Sequence, residues 1–379
     1  TEFFIRVEED KTFLSIFEGK VLAKNEAGSL SITGGQSAVA EKGKAPVYRV
    51  VARPRDAVHW ALYYPPVIYT PPEGAPVKED TSDPGFLAHR ASNLLSVGRV
   101  EEANADIERA IGLDPNYSDA FALQSIIAVV QNEKEKGLDL ANKAVETGPT
   151  FATSQIALSY ARQANFDLEG ARTSLEEAVK LEPENALAWA RLAEIRSSFG
   201  ELDKSLQAAK KAVALDPYLS RTQTVLGFAY LTQVKTAESK AAFEKAIALD
   251  QADSLPRLGM GLAIIRDGDL QAGAKEIEIA ASLDPNNSLI RSYLGKVYYE
   301  EKRGKIDGEE YAIAKQLDPK DPTPHFYDAI AKQTTNRPVE ALHDMQTAIE
   351  LNDNRAVYRS KLLMDSDLAA RSASLARIY

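Results

Sequence analysis

A single fixed period governs most of this chain. Prolines stand at positions 115, 149, 183, 217, 285 and 319, all separated by multiples of 34, with Gln251 filling the one gap and Asp353 ending the ladder. Five residues before each rung is an alanine: Ala110, Ala144, Ala178, Ala212, Ala246, Ala280, Ala314 and Ala348. Nineteen residues before each alanine is a second small residue, in order Ala91, Ser125, Ser159, Ala193, Gly227, Gly261, Gly295 and Ala329. Repetition at a fixed spacing of roughly 20–50 residues restricts a chain to stacked, quasi-one-dimensional architectures. Each unit is here expected to be a pair of antiparallel helices. Two helices approach closely only where the facing side chains are small, and a proline after the second helix ends it, having no N–H to donate and a ring that clashes with the preceding turn. Large residues fill the remaining space, among them Trp189 and Leu192, then Leu226, Tyr230 and Phe243, then Leu294, Tyr298 and Tyr311.

The pattern resembles the tetratricopeptide repeat. It covers 84–355 as eight blocks of equal length, 272 of the 379 positions. The resemblance implies a mostly α protein, a right-handed solenoid of about eight helix pairs. Arg90 in the first block and Asp328 in the eighth occupy places usually held by large apolar residues, as expected of terminal repeats that face solvent or another domain. Residues 356–379 read as the start of an irregular ninth repeat or a capping segment, and the pattern breaks off without a polar cap, so a continuing polypeptide or a covering partner is expected at this end.

The segment 1–45 follows period 2 instead. Phe3, Ile5 and Val7, then Leu14 and Ile16, Val21 and Ala23, Leu30 and Ile32 alternate with polar neighbours, and Glu18-Gly19, Asn25 to Gly28 and Thr33 to Gly35 supply turns. This predicts a small antiparallel β domain of four or five strands that starts at the first residue and has lost its beginning. The strings Thr1-Glu2-Phe3, Phe17-Glu18-Gly19-Lys20-Val21 and Gly34-Gly35-Gln36-Ser37 resemble the C-terminal half of a FecR-type domain, over 1–45. Residues 46–83 read as a linker with one short helix at 55–64, stopped by Pro65-Pro66. Its Trp60-Ala61-Leu62-Tyr63-Tyr64-Pro65-Pro66 segment is similar to one that joins FecR-like domains to repeat arrays in an envelope protein family. The resemblance implies a periplasmic or envelope-associated protein.

Composition narrows the function. Lys+Arg 45 against Asp+Glu 55 gives a net charge of −10, which argues against binding a phosphate backbone, so no nucleic-acid partner is expected. Cysteine is absent, which excludes disulfides, thiol catalysis and thiolate-ligated metals. No apolar run reaches the length of a transmembrane helix. The four histidines, at 59, 89, 325 and 343, show no i, i+4 spacing, and the carboxylates sit on outward faces or before the prolines (Asp114, Glu182, Asp216, Asp284, Asp318). No catalytic group, metal or cofactor is therefore nominated, and an enzyme is not expected. In a repeat of this kind the second, fifth, ninth and twelfth positions of each first helix face the concave groove. Those positions give Ile126, Val129, Ile156, Tyr160, Phe228, Leu231, Leu255, Leu258, Leu262, Ile265 and Tyr299, an apolar stripe expected either to bind a protein segment or to be buried by the protein's own elements. Ala88/Ser92, Ala122/Ile126 and Ile156/Tyr160 stand where Lys and Asn would clamp a terminal carboxylate, so that sub-type is not expected. The leading expectation is a non-catalytic interaction scaffold of the bacterial envelope, binding protein partners that include outer-membrane or envelope components. The alternatives are a FecR-like periplasmic sensor, or a spacer in polysaccharide export or a self-associating surface fibre.

Overall fold

The computed structural model describes residues 2–7, 11–18, 20–33, 37–48, 64–71 and 80–352. The expected helix at 55–64 and the segment 356–379 lie outside these residues, apart from Tyr64, which opens a stretch without helix or strand.

Among the described residues sixteen helices follow one another in pairs: α1 (Pro84–Ser96) and α2 (Val100–Leu113), α3 (Ser118–Val130) and α4 (Lys134–Thr147), α5 (Ala152–Ala164) and α6 (Leu168–Leu181), α7 (Ala186–Ser198) and α8 (Leu202–Leu215). Next come α9 (Ser220–Thr232) and α10 (Thr236–Leu249), α11 (Ser254–Arg266) and α12 (Leu270–Leu283), α13 (Ser288–Glu300) and α14 (Ile306–Leu317), α15 (Pro322–Thr334) and α16 (Pro338–Glu350). From Pro84 onward the first residues of the odd-numbered helices keep step with the proline ladder. The periodic alanines close the even-numbered helices: the carbonyls of Ala110, Ala144, Ala178, Ala212, Ala246, Ala280 and Ala314 accept the N–H four residues on. Asp114, Asp216, Asp250 and Asp318 then each accept a backbone N–H two residues later, an Asx turn that aspartate makes here before Gln251 as well as before the prolines.

The small residues set the helix spacing. A Cβ added to Gly227 or to Gly259 would come within 2.5 or 2.2 Å of the Phe243 ring, which is fully buried; α9 and α11 give up side chains so that α10 can insert an aromatic. At three of these crossings a serine hydroxyl donates to the facing carbonyl, Ser125 to Gly137, Ser205 to Ala193 and Ser239 to Gly227, at 2.8–2.9 Å, whereas Ser159 donates to Ile156 of its own helix. The two departures at the ends of the array are ion-paired. Arg90 donates twice to Asp106 of α2, and Asp328 meets Lys315 at 2.6 Å and Lys332 at 2.8 Å.

One periodic feature is carried by the backbone alone. Gly98, Asn132, Phe166, Gly200, Val234, Gly268, Lys302 and Asn336, spaced by the same period, all have positive φ, between 58° and 102°. Each lies in the turn joining the two helices of a pair. Left-handed backbone costs an L-residue about 1–2 kcal/mol, and a β-branched residue is the worst fit. Val234, at φ 63° and largely exposed, has no packing to lose, so Val234→Gly is expected to stabilise the protein by about 1 kcal/mol, net of the greater chain entropy of glycine. Urea denaturation measures this.

The β unit forms two small sheets. β1 (Glu2–Val7), β2 (Lys11–Glu18), β5 (Ser37–Glu41) and β6 (Val47–Tyr48) make an antiparallel sheet in the order β1-β2-β5-β6, and β3 (Lys20–Asn25) with β4 (Gly28–Thr33) makes a hairpin. The hairpin turn is fixed by Asn25, whose Oδ1 accepts the N–H groups of Ala27 and Gly28. Leu14, Ile16, Ile32 and Ala38 form the buried core of the unit, but Ile5, Val7, Leu22 and Val47 are more than half exposed. So small a sheet pair has too little area to cover both faces.

Candidate functional site

The odd-numbered helices carry the concave face. Of the eleven residues expected to line it, Ile126, Ile156, Leu231 and Leu258 are buried, and Val129, Tyr160, Phe228, Leu255, Leu262, Ile265 and Tyr299 are half-buried. Leu258 packs in a core with Ile277 and Ile290 between α11, α12 and α13, and Leu231 packs with Phe243 and Ala263. Phe228 packs edge-on to Phe243, and Leu262 and Ile265 pack against the clusters of α9 to α13, so their partly exposed edges, with Leu255 and Tyr299, make up an apolar strip over α9, α11 and α13.

Over α1 to α5 the face is covered by the chain itself. Residues 64–71, Tyr64-Pro65-Pro66-Val67-Ile68-Tyr69-Thr70-Pro71, form a strap without helix or strand, bent at Ile68. Tyr64 and Val67 are buried in the same cluster as Ala88 and Leu95 of α1, Ala122 and Ile126 of α3 and Ile156 of α5, and Ile68 and Tyr69 pack against it. Gln131, just past α3, donates to the Tyr64 hydroxyl at 3.5 Å, and Thr70 Oγ1 lies 2.7 Å from His89 Nε2 of α1. Burial pushes the Tyr64 phenol up to about 12, with the Gln131 bond opposing it. Tyr69 is raised by burial, then by the carboxylates of Asp216 and Glu184 in the turns before α9 and α7. The composition of 65–83 suggests a linker, but Val67, Ile68 and Tyr69 between prolines, with Tyr64 before them, are enough to dock this part of it.

Beyond the strap the floor of the groove turns polar. The Arg191 guanidinium of α7 stacks on Tyr160, 3.8 Å from the ring centroid. Arg191 and Arg221 (α9) both hold Glu194, at 2.8 and 2.6 Å; Arg191 also donates to Gln163 and, at 3.2 Å, to Ser159. Asp253, the N-cap of α11, is fully buried, and desolvation raises its carboxyl to about 6. Reading the inward positions of the fifth block for charge as well as apolarity would have found Arg221, its second residue. A third feature closes the arc. The Phe166 ring, in the turn after α5, has the ammonium groups of Lys134 and Lys320 over it at 5.3 and 5.1 Å. A cavity of about 340 Å³ lies between Val129, Tyr160 and Gln163 on one side and Asn286, Leu289 and Leu317 on the other.

Among the described residues no group of three or more His, Asp and Glu is placed to hold a metal ion, and no helix is long and apolar enough to cross a membrane. The carboxylates that titrate high, the half-buried Asp119 and the buried Asp253 and Asp284, each to about 6, lie in three different blocks, and desolvation is the leading cause for each.

Comparison with known proteins agrees with this architecture. Sequence models of the tetratricopeptide repeat match residues 155–220 and 220–253; the chain carries tetratricopeptide repeats and folds as their solenoid. A search of curated proteins returned no match. Among solved structures the fold is similar to that of the APC/C hetero-tetramer Cut9-Hcn1, at 18% identity and a TM-score of 0.60, covering 77% of this chain and 55% of that one. It is also similar to the human IFIT1 dimer with m7Gppp-AAAA, at 16% identity and a TM-score of 0.51, covering 71% and 72%. This chain thus spans about half the length of the first of these. The fold is one that in general mediates protein–protein interaction and is generally non-catalytic.

Proposed function

We propose that this chain is a non-catalytic scaffold of the bacterial cell envelope that holds a protein segment in its concave groove. The observation that carries the reading is the half-buried apolar strip of Phe228, Leu255, Leu262, Ile265 and Tyr299, which lies on the same series of odd-numbered helices as the strap, beyond the polar floor of Arg191, Glu194 and Arg221. A face that accepts one segment by apolar burial and side-chain hydrogen bonds has the chemistry to accept another. A polyanion is a poor fit, because Arg191 and Arg221 at the floor are both engaged by Glu194. The envelope assignment rests on the FecR-like strings of 1–45. Replacing Leu262 and Ile265 together with Asp should weaken partner capture by at least about tenfold, the effect of losing roughly 1.4 kcal/mol of apolar contact. Circular dichroism checks that helicity is retained, and unchanged capture by the folded variant refutes the groove.

A second reading is favoured by the β unit. Its exposed Ile5, Val7 and Leu22 line a cleft of about 570 Å³ together with Leu14, Val21 and Ala38, so it is suited to sense or dock a small apolar group. Hydrogen exchange at 2–48 that slows only in the presence of such a ligand would move the weight to a sensor.

A further inference from the structure

The strap shows what this half of the groove recognises. Three of its eight residues are proline, which restricts the backbone and leaves little freedom to lose on docking. Its anchors are an aromatic with a bonded hydroxyl (Tyr64), a fully buried aliphatic (Val67) with a second beside it (Ile68), and a further aromatic (Tyr69) followed by a hydroxyl on His89. Tyr64 and Val67 are buried in one cluster with Ala88, Leu95, Ala122, Ile126 and Ile156, so a partner cannot take the strap's place on that surface while the strap is seated.

We infer that residues 64–71 are a resident ligand of the concave face over α1 to α5, and that the partner of this half of the groove carries a proline-bracketed segment of the same chemistry, aromatic, aliphatic pair, aromatic, which enters by displacing the strap. This rests on the reading of the solenoid as a segment-binding scaffold. A tethered segment competes at an effective concentration near the millimolar range, so the strap sets a threshold that only a matching segment exceeds.

The absence of cysteine from the chain makes a reversible test available. In the full chain, Thr70→Cys with His89→Cys places a thiol on each side of this contact, separated by about the length of the lost imidazole, and a short bis-methanethiosulfonate reagent joins them through reducible disulfides. The probe is a labelled synthetic peptide of the sequence of 64–71. The expected result is a cross-link within one chain, no peptide binding when cross-linked, and binding restored by reductant in the same sample. A second variant, Val67→Asp, loosens the strap without a cross-link and should bind the peptide about tenfold more tightly than the unsubstituted chain. A cross-link formed between two chains overturns the inference, since the strap would then belong to a second copy. Equal binding with and without the cross-link overturns it as well, because the peptide would be bound elsewhere. If no form binds the peptide while cross-links from Leu262 still reach a foreign protein, the resident-ligand inference fails and the scaffold reading stands.

Discussion

Gly261→Val is expected to lower the free energy of unfolding by about 3 kcal/mol, at the upper end of what overpacking a close contact costs. Block six is the only one with glycine at both close positions, Gly261 on α11 and Gly273 on α12. A Cβ on Gly261 would lie 2.6 Å from Ile277 Cγ1 and 2.7 Å from the Gly273 carbonyl oxygen. The side chain of Ile277 can turn, but the backbone oxygen cannot. A β-branched residue adds two further carbons with a restricted χ1. The helices must part, and the damage reaches the core of Leu258, Ile277 and Ile290 that they share with α13. Each repeat packs chiefly on its neighbours, with the turn at Phe166 also reaching Lys320, so hydrogen exchange should quicken most in blocks five to seven and least in block one. A cost below about 1 kcal/mol would mean that the helices are not held this close.

Asp344→Ala is expected to cost about 3–5 kcal/mol, the usual result of removing one partner from a buried ionic cluster. Asp344 receives Lys315, Lys332 and His325, while Asp328 faces the same two lysines. Both carboxylates are less than a tenth exposed and both lysines less than a fifth. Without Asp344 two ammonium groups share one carboxylate. Burial alone would raise the Asp344 carboxyl, but the bonds from His325, Lys315 and Lys332 outweigh it and hold it well below the usual carboxylate range. Its contribution is therefore complete above its unfolded value, near pH 4, and is lost as pH falls further. The desolvated carboxyls of Asp119, Asp253 and Asp284 act in the opposite sense. Raised to about 6, they bind protons in the folded chain first, so stability rises as pH falls from 7 to about 4 and then declines. Thermal unfolding across pH should show that maximum, and the Asp344→Ala variant should lose much of the decline below it.

The array was legible because its constraints fall on side-chain identity. Proline and alanine mark the end of each second helix, and the small residue nineteen places earlier marks the crossing. The other periodic constraint, left-handed backbone at 98 and at every later turn within a pair, leaves no such mark, since Phe166, Val234 and Lys302 meet it as well as Gly98, Gly200 and Gly268 do. Tertiary packing imposes that conformation. In the groove, selecting apolar residues found the stripe but passed over Arg221 and Arg191, which share one carboxylate, Glu194, on the helix that carries Arg191. Residues 64–71 were hidden by their composition. Proline next to polar linker reads as unstructured, and only the docked arrangement shows that Tyr64, Val67, Ile68 and Tyr69 share one surface.

The central claim is that the apolar strip over α9, α11 and α13 holds another protein. It is tested most directly by placing a photo-cross-linking amino acid at Leu262 or Tyr299 of the full-length protein in intact cells and identifying the products by mass spectrometry. The account predicts one dominant foreign protein cross-linked from both positions. Products confined to this chain, within one copy or between copies, would contradict it and leave the strip as part of the protein's own packing.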